Sequence, residues 1–372
     1  MVNQNECCGC SACSVVCNHG ALTMAFNDEG YYKPVLDEAK CVHCGLCDRV
    51  CPAIHHVLPH LTKKNTFLAV AKDRNVLERS SSGGVSYVMA KRALHEKYTV
   101  CGVGYDTKEN VARHILIEHE KDLPQIQGSK YLKSANMAAF LETIKCDKAI
   151  VFGTPCEITG LDKVLQLKGI RERFILVDIF CHGVPSQLIW QQHLKWLKKK
   201  GKINGAELPV FRDKKNFILS IGKYSAWYNE DAFYTFFLRG WLRNEKCFSC
   251  DFRRTSAADV RIGDCLTPEY DRQLSYSPSC ILANTERGTA FLNACYEDLE
   301  IQREDYAVID GIQEKGKGVG NDYSIYMKRL KAGEYPQNII APIVTIGRVK
   351  SFLKNRLLRR VHEKQKTNDL PN

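Results

Sequence analysis

The sequence predicts an α/β and α+β protein in three parts: a small cysteine-rich module, an α/β lobe with a mostly parallel sheet, and a C-terminal α+β lobe. Three observations lead there. Cysteines recur at fixed spacing ahead of Pro52, strand-like and helix-like segments alternate from Thr66 to Lys200, and beyond Gly201 the texture shifts to aromatic-rich strands. The boundaries so placed are 1–57, 65–200 and 201–345, with a basic tail over 346–372.

The first part writes one spacing twice, as Cys7-x2-Cys10-x2-Cys13-x3-Cys17 and Cys41-x2-Cys44-x2-Cys47-x3-Cys51-Pro52. This is the bacterial dicluster ferredoxin signature. Iron in a sulfide cube is soft and binds thiolates strongly, and the tight spacing lets one short loop meet three corners of a cube. The fourth corner is crossed between the runs, which assigns Cys7, Cys10, Cys13 and Cys51 to one 4Fe-4S cluster and Cys41, Cys44, Cys47 and Cys17 to the other. The competing occupant of Cys-x2-Cys pairs is structural zinc. Asn18 stands where the signature has proline, which changes a turn and removes no ligand, and Cys8 falls outside the spacing as a spare thiol. Between the runs, 22–26 and 31–36 flank Asn27-Asp28-Glu29-Gly30 as a hairpin.

A polar connector over 55–65 leads to the second part. There the pattern predicts a strand at 67–71, a helix over 85–95, strands at 98–105 and 111–118, and a helix over 135–145. A strand at 148–152, a helix over 158–167, a strand at 174–180 and a helix opened by Pro185 and running to 200 complete it. In the third part a helix over 231–243, a Cys247-x2-Cys250 loop, a strand at 258–263 and helices over 288–299 and 323–330 are expected. In the tail, Ile346, Val349, Leu353, Leu357 and Val361 recur at helical spacing among Lys350, Lys354, Arg356, Arg359 and Arg360. Such a basic amphipathic helix either packs back on the body or meets anionic lipid or an acidic redox partner.

With 372 residues, 44% of them hydrophobic, the chain is long enough to bury a sizeable core. Eighteen cysteines would suggest disulfides in a secreted chain, but no signal-peptide pattern precedes Cys7 and cluster ligands must stay reduced, so the expected compartment is the cytoplasm. No apolar run approaches the roughly 18 residues that span a bilayer. The formal charge of +11 counts the cysteines as neutral, and anionic clusters would lower it. Because the tail carries no aromatic apart from Phe352, no nucleic-acid partner is expected.

A second constellation lies in the body. The strands at 148–152 and 174–180 end in Gly153-Thr154-Pro155-Cys156 and Cys181-His182-Gly183, so both cysteines sit at the carboxyl edge of a parallel sheet, where open α/β folds gather ligands. Joined by Cys247 and Cys250, they make four thiols suited to a third 4Fe-4S cluster. Zinc held with Cys247, Cys250 and Cys265, or a set of unligated thiols, remains open. Ser80-Ser81-Ser82-Gly83-Gly84 precedes the helix over 85–95, so a helix N-terminus with free backbone donors faces any entering pyrophosphate; the bland reading is an ordinary Gly/Ser turn. Lys130 adds a point charge suited to phosphate or reduced flavin. His182, beside Cys181, is either a proton donor or a structural histidine.

These residues resemble the family of beta subunits of coenzyme F-420-reducing hydrogenases and dehydrogenases. The resemblance runs in order through Ser82-Gly83-Gly84, Gly128-Ser129-Lys130-Tyr131 with Ser134, Gly153-Thr154-Pro155-Cys156, Val177-Asp178, Cys181-His182-Gly183-Val184-Pro185-Ser186, and Cys247-x2-Cys250 with Asp259 and Gly263-Asp264. It implies FAD held by the segments around Ser82 and Gly128, a cluster in the body, and electron traffic between clusters and flavin. The resemblance also covers ferredoxin-dependent pigment reductases. Glu157 replaces the usual glutamine, and Cys265-Leu266 a usual aromatic pair; both positions are expected on the substrate side, which leaves the substrate open and the flavin and cluster reading intact. The expected function is an iron-sulfur flavoprotein oxidoreductase that passes electrons from ferredoxin-type clusters to FAD and on to a small-molecule organic acceptor, with ferredoxin as redox partner. The alternative is an electron-transfer subunit docked on a hydrogenase or dehydrogenase that uses coenzyme F-420.

Overall fold

The computed structural model describes residues 5–55, 61, 63–213, 216–265, 277–310 and 322–341. The expected basic helix from 346 onward, with its lipid contact, lies outside the described residues, as does Leu266.

In the N-terminal module, β1 (Leu22–Phe26) and β2 (Tyr32–Leu36) pair as the expected hairpin, with Leu22 opposite Leu36. Each cysteine run feeds a one-turn helix, α1 (Ala12–Val15) and α2 (Leu46–Arg49), and the two helices pack on one another. In the body, β3 (Thr66–Ala71) is followed by α3 (Arg74–Glu78), α4 (Val85–His95), β4 (Thr99–Asp106), β5 (Val111–Ile117) and the short β6 (Ser134–Ala135). Next come α5 (Met137–Thr143), β7 (Ala149–Gly153), α6 (Pro155–Leu167), β8 (Phe174–Ile179) and α7 (Gln187–Lys199). The remaining elements are β9 (Ile218–Ile221), β10 (Tyr224–Trp227), α8 (Ala232–Arg239), β11 (Val260–Asp264), β12 (Ser279–Ala283) and β13 (Leu299–Glu304), with helices Glu286–Asn293 and Tyr323–Lys331.

One nine-stranded sheet, in the order β13-β3-β12-β11-β8-β7-β4-β5-β6, carries the body. Its centre, β11-β8-β7-β4, is parallel as expected, while antiparallel pairing of β13, β3, β12 and β11 closes one flank. The three strands β11 to β13 come from beyond residue 201, so the two stretches read as separate lobes from the sequence share a single sheet. Two of those strands escape the sequence pattern. β12 is buried at every position and shows no alternation, and β13 is a polar edge strand. The helix expected over 288–299 ends at Asn293, and the chain turns into β13 at Leu299. α6 begins at Pro155, earlier than the expected 158. Proline at the first turn and Glu157, which accepts from the Thr154 backbone N–H at 2.9 Å, cap it there.

Period-two alternation sorts the central strands between two cores. Ile150, Ile175 and Val177 face α4 and helix Glu286–Asn293 with Val88, Met89 and Leu292. Val151, Phe174 and Leu176 face α5 and α6 with Phe140, Ile158 and Leu161, and this core continues into Ala12, Val15 and Val50 of the module. The module is therefore laid on α6 rather than tethered beside it. Gly160 permits the contact, because a Cβ there would stand 2.7 Å from Cys10 Sγ. A third core, around Trp190, Phe211, Phe233 and Phe236, joins α7, the β9–β10 hairpin, α8 and helix Tyr323–Lys331. No helix among the described residues is long and apolar enough to cross a membrane.

Arg261 of β11 is fully buried and forms a two-pronged pair with Asp178 of β8, Nε to Oδ1 at 2.7 Å and Nη2 to Oδ2 at 2.7 Å. Its remaining donors reach the carbonyls of Arg253 (2.9 Å), Phe252 (3.0 Å) and Thr255 (3.1 Å), which fastens the segment after Cys250 to the sheet. Replacing Arg261 by Met leaves Asp178 buried without its cation. The expected cost is about 3–5 kcal/mol, read as a lower thermal unfolding midpoint; an unchanged midpoint would refute this role.

Candidate functional site

The two cysteine runs meet at one cavity. Cys7, Cys10, Cys13 and Cys51 line one cavity, with Cys47 and Asp48 at its side. Cys13 is pushed up to about 12, by burial first and then by the neighbouring Cys7, so its thiolate needs a cation to form. The second set is outermost: Cys44 is exposed on the loop into α2, Cys41 and Cys47 are half-buried, the former on that loop and the latter within α2, and Cys17 follows α1. Among the described residues no group of three or more ligating side chains stands at metal-binding distance. The ligand sets therefore rest on spacing and on convergence at the cavity.

The loop that holds the first set is tied to the body. The Cys7 carbonyl accepts from Lys33 Nζ at 2.7 Å and from Asn244 Nδ2 at 3.2 Å, and Ser11 Oγ donates to Asn136 Oδ1 at 2.5 Å.

A second cavity brings together the four body cysteines, Cys156, Cys181, Cys247 and Cys250, with Cys8, Lys133, Lys246 and Arg253. Cys156 opens α6, Cys181 follows β8, and the loop bearing Cys247 is pinned to the segment after Cys181 by Asn244 N–H donating to the Val184 carbonyl at 3.1 Å. Burial, and then the neighbouring thiols, push Cys181, Cys247 and Cys250 up to about 12. Cys156 is raised well above its usual value by a hydrogen bond with Cys8 and by burial. Four such thiols cannot all ionise unless positive charge sits among them, which is the chemistry of an iron-sulfur or other thiophilic metal site. Cys265 does not join them. It lies in a separate apolar cluster, hydrogen-bonded to Cys280, so the zinc set drawn through Cys247, Cys250 and Cys265 is not assembled.

Lys133, at the wall of this cavity, forms a fully buried ion pair with Glu157 at 2.5 Å. Burial opposes both charges and the pairing outweighs it, raising the lysine pKa and lowering that of the carboxyl. Glu157 is thus committed to Lys133 and to the cap of α6, and does not stand on a substrate side. His182 is half-buried beside Cys181 on the same loop.

The anion cradle expected before α4 lies against the end of β3 and the start of β12, where Ala69 pairs with Ser279. Gly84 caps α4 in the left-handed region (φ 74°), the helix has no side-chain cap and no acidic residue in its first turn, and its N-terminal field is unopposed. The structure also unites two segments that the sequence left far apart: Ser129 N–H donates to Ser81 Oγ at 3.0 Å, and Gln127 Nε2 to Ser80 Oγ at 3.1 Å. Ser82 Oγ meets Ser279 Oγ at 3.0 Å. Gly83 lacks a side chain for a packing reason, since a Cβ would lie 2.1 Å from the Ala69 carbonyl. Gly128 adopts φ 80°. Lys130 is part-buried, and burial lowers its pKa to about 7; its Nζ donates to the Gln127 carbonyl at 2.8 Å.

Tyr131 packs among Phe217, Phe237 and Tyr234 and accepts from Arg212 Nη1 at 3.3 Å. Arg212 in turn is paired to Asp264 at 2.5 Å. Neither Arg212 nor Ser279 was singled out from the sequence; each lies in a strand-like stretch with no motif. Ser134 is buried and hydrogen-bonded to His114 Nδ1 at 2.7 Å, which directs its hydroxyl into the sheet.

The family model described as the C terminus of the coenzyme F420 hydrogenase/dehydrogenase beta subunit matches residues 146–307, and that of the 4Fe-4S dicluster domain matches residues 6–54. The chain is similar to the F subunit of the F(420)H(2) dehydrogenase of Methanosarcina mazei, 23% identical over 82% of this chain and 86% of that one. It is also 27% identical to an uncharacterized protein of Methanocaldococcus jannaschii, over 48% of this chain and 59% of the relative. Among solved structures, a chain of the F420-reducing NiFe hydrogenase complex of Methanosarcina barkeri aligns with TM-score 0.49 and 16% identity, covering 77% of this chain and 93% of that one. The cysteine-rich module is thus a 4Fe-4S dicluster domain, and behind it residues 146–307 match the C-terminal domain of the coenzyme F-420 hydrogenase/dehydrogenase beta subunits.

Proposed function

We propose that the chain is the electron-transfer beta subunit of a coenzyme F-420-linked hydrogenase or dehydrogenase, with two ferredoxin-type clusters, a third 4Fe-4S cluster on Cys156, Cys181, Cys247 and Cys250, and FAD at the N-terminus of α4. The observation that carries this reading is continuity. The cavity of Cys7, Cys10, Cys13 and Cys51 abuts that of the body thiols, and the segment 128–134 runs from the Ser81 hydroxyl to Lys133 at the thiol wall. Of the two functions expected from the sequence, the docked subunit is favoured over a reductase with its own acceptor, because the relative matched over most of both chains is itself a dehydrogenase subunit.

Bound flavin would supply the exchange between electron pairs and single electrons. The chain's own residues bind and orient it. The uncapped N-terminus of α4 and Lys130 suit an anionic pyrophosphate, and the Ser80 to Gly84 turn is braced against Ser129 and Ser279. Purification from native cells should yield a stoichiometric partner subunit, and reduced coenzyme F-420 should reduce the clusters; isolation as an autonomous protein inert to the coenzyme would refute the reading.

Anaerobically purified chain should hold about twelve irons, four for each of three cubes. Cys156→Ser and Cys250→Ser should each lose about four, because serine oxygen is a harder and poorer ligand for this iron, while the dicluster spectra persist. About eight irons in the unsubstituted chain would remove the third cluster.

Denaturation should release FAD, and Lys130→Gln should lower the FAD retained on purification without changing iron content. Equal retention in both proteins would separate Lys130 from the cofactor.

A further inference from the structure

Cys8 is the cysteine that the ferredoxin spacing leaves over. In the structure it is 8% exposed and, among the described residues, alone lines both cavities, that of Cys7, Cys10, Cys13 and Cys51 and that of Cys156, Cys181, Cys247 and Cys250. Its thiol is hydrogen-bonded on one side to Cys10 and on the other to Cys156, one expected ligand from each set. Its position is fixed from both directions. Gly9 next to it packs so closely that a Cβ would stand 2.3 Å from the Tyr32 carbonyl, and the Cys7 carbonyl before it is held by Lys33 and Asn244.

We propose that Cys8 is a non-ligating thiol that couples the inner ferredoxin cluster to the body cluster; this rests on the three-cluster reading above. Cys7 and Cys10 commit their loop to the first cube, and the four body thiols already supply the corners of another, so Cys8 is left between the two sets without a corner of its own. Its S–H donates to the Cys10 sulfur and its sulfur lies against Cys156, which gives a buried path from ligand to thiol to ligand. With both clusters bound, Cys8 would bridge the transfer of one electron from the reduced to the oxidised cluster with no bond made or broken at its sulfur. A hydrogen bond to a ligand sulfur stabilises the added negative charge of a reduced cluster and so raises its potential. Cys8 is in this sense a positioning residue, acting on the cubes through Cys10 and Cys156.

The test uses the full-length holoprotein, with Cys8→Ala to remove the donor and Cys8→Ser to keep a hydroxyl donor of nearly the same shape. Iron content and a potentiometric titration followed by electron paramagnetic resonance are measured on both variants and on the unsubstituted chain. Full iron, an inner ferredoxin-cluster potential shifted downward in Cys8→Ala, slower electron exchange between the two sites, and partial return of the potential in Cys8→Ser are expected. Loss of one cluster's iron from either variant would make Cys8 a ligand and overturn the proposal. Full iron with unchanged potential and rate in Cys8→Ala would overturn it as well. An unsubstituted chain that lacks the body cluster would bring down the three-cluster reading and the coupling with it, whereas an intact third cluster with silent variants would sink the coupling alone.

Discussion

The buried pair of Asp178 and Arg261 is the constraint on which the rest depends. A guanidinium taken wholly out of water must have its donors satisfied, and this one is met by a carboxylate on β8 and by three carbonyls of the segment 252–255. Satisfying it fixes three things together. It sets β11 beside β8, it aims the end of β8 with Cys181, and it folds the segment following Cys250 against that end. One ion pair thus ties the β8–β11 edge of the parallel centre to the segment that follows the Cys247 and Cys250 loop.

The assembled thiols are not at rest as bare groups. Burial together with their neighbours raises Cys181, Cys247 and Cys250 far above the ordinary thiol range, and the buried Lys133 and Glu157 pair leaves little net charge to compensate ionised sulfur. A thiophilic cationic centre would remove that conflict, and metal binding there would release protons and stabilise the fold. The cost of keeping the ligands close is borne by the packing of α6 and β8, a division of labour common where a rigid scaffold preorganises a site.

The dicluster module is part of the same packing problem. Its buried side, Ala12, Val15 and Val50, is continuous with the core beneath α5 and α6, while the loop around Cys44 faces solvent. The first expected ligand set is therefore turned toward the body thiols and the loop of the second toward solvent. Orientation of this kind gives a relay a direction in space without specifying the direction of flow.

By itself the sequence determined the dicluster spacing, the hairpin, and most central strands and helices, because each follows from local rules: loop length between ligands, alternation at period two, and caps such as Pro155. It also marked Cys156, Cys181, Cys247 and Cys250, since strand ends and a Cys-x2-Cys loop are readable without a fold. What it could not convey was adjacency. The joining of Ser81 to Ser129, of Arg212 to Asp264 and of Lys133 to Glu157, the single sheet shared across residue 201, and the place of Cys8 between two cavities involve residues far apart along the chain with no periodic signature. Only tertiary structure decides such contacts, because buried polar groups and thiols take whichever partners the packed core brings within hydrogen-bond reach.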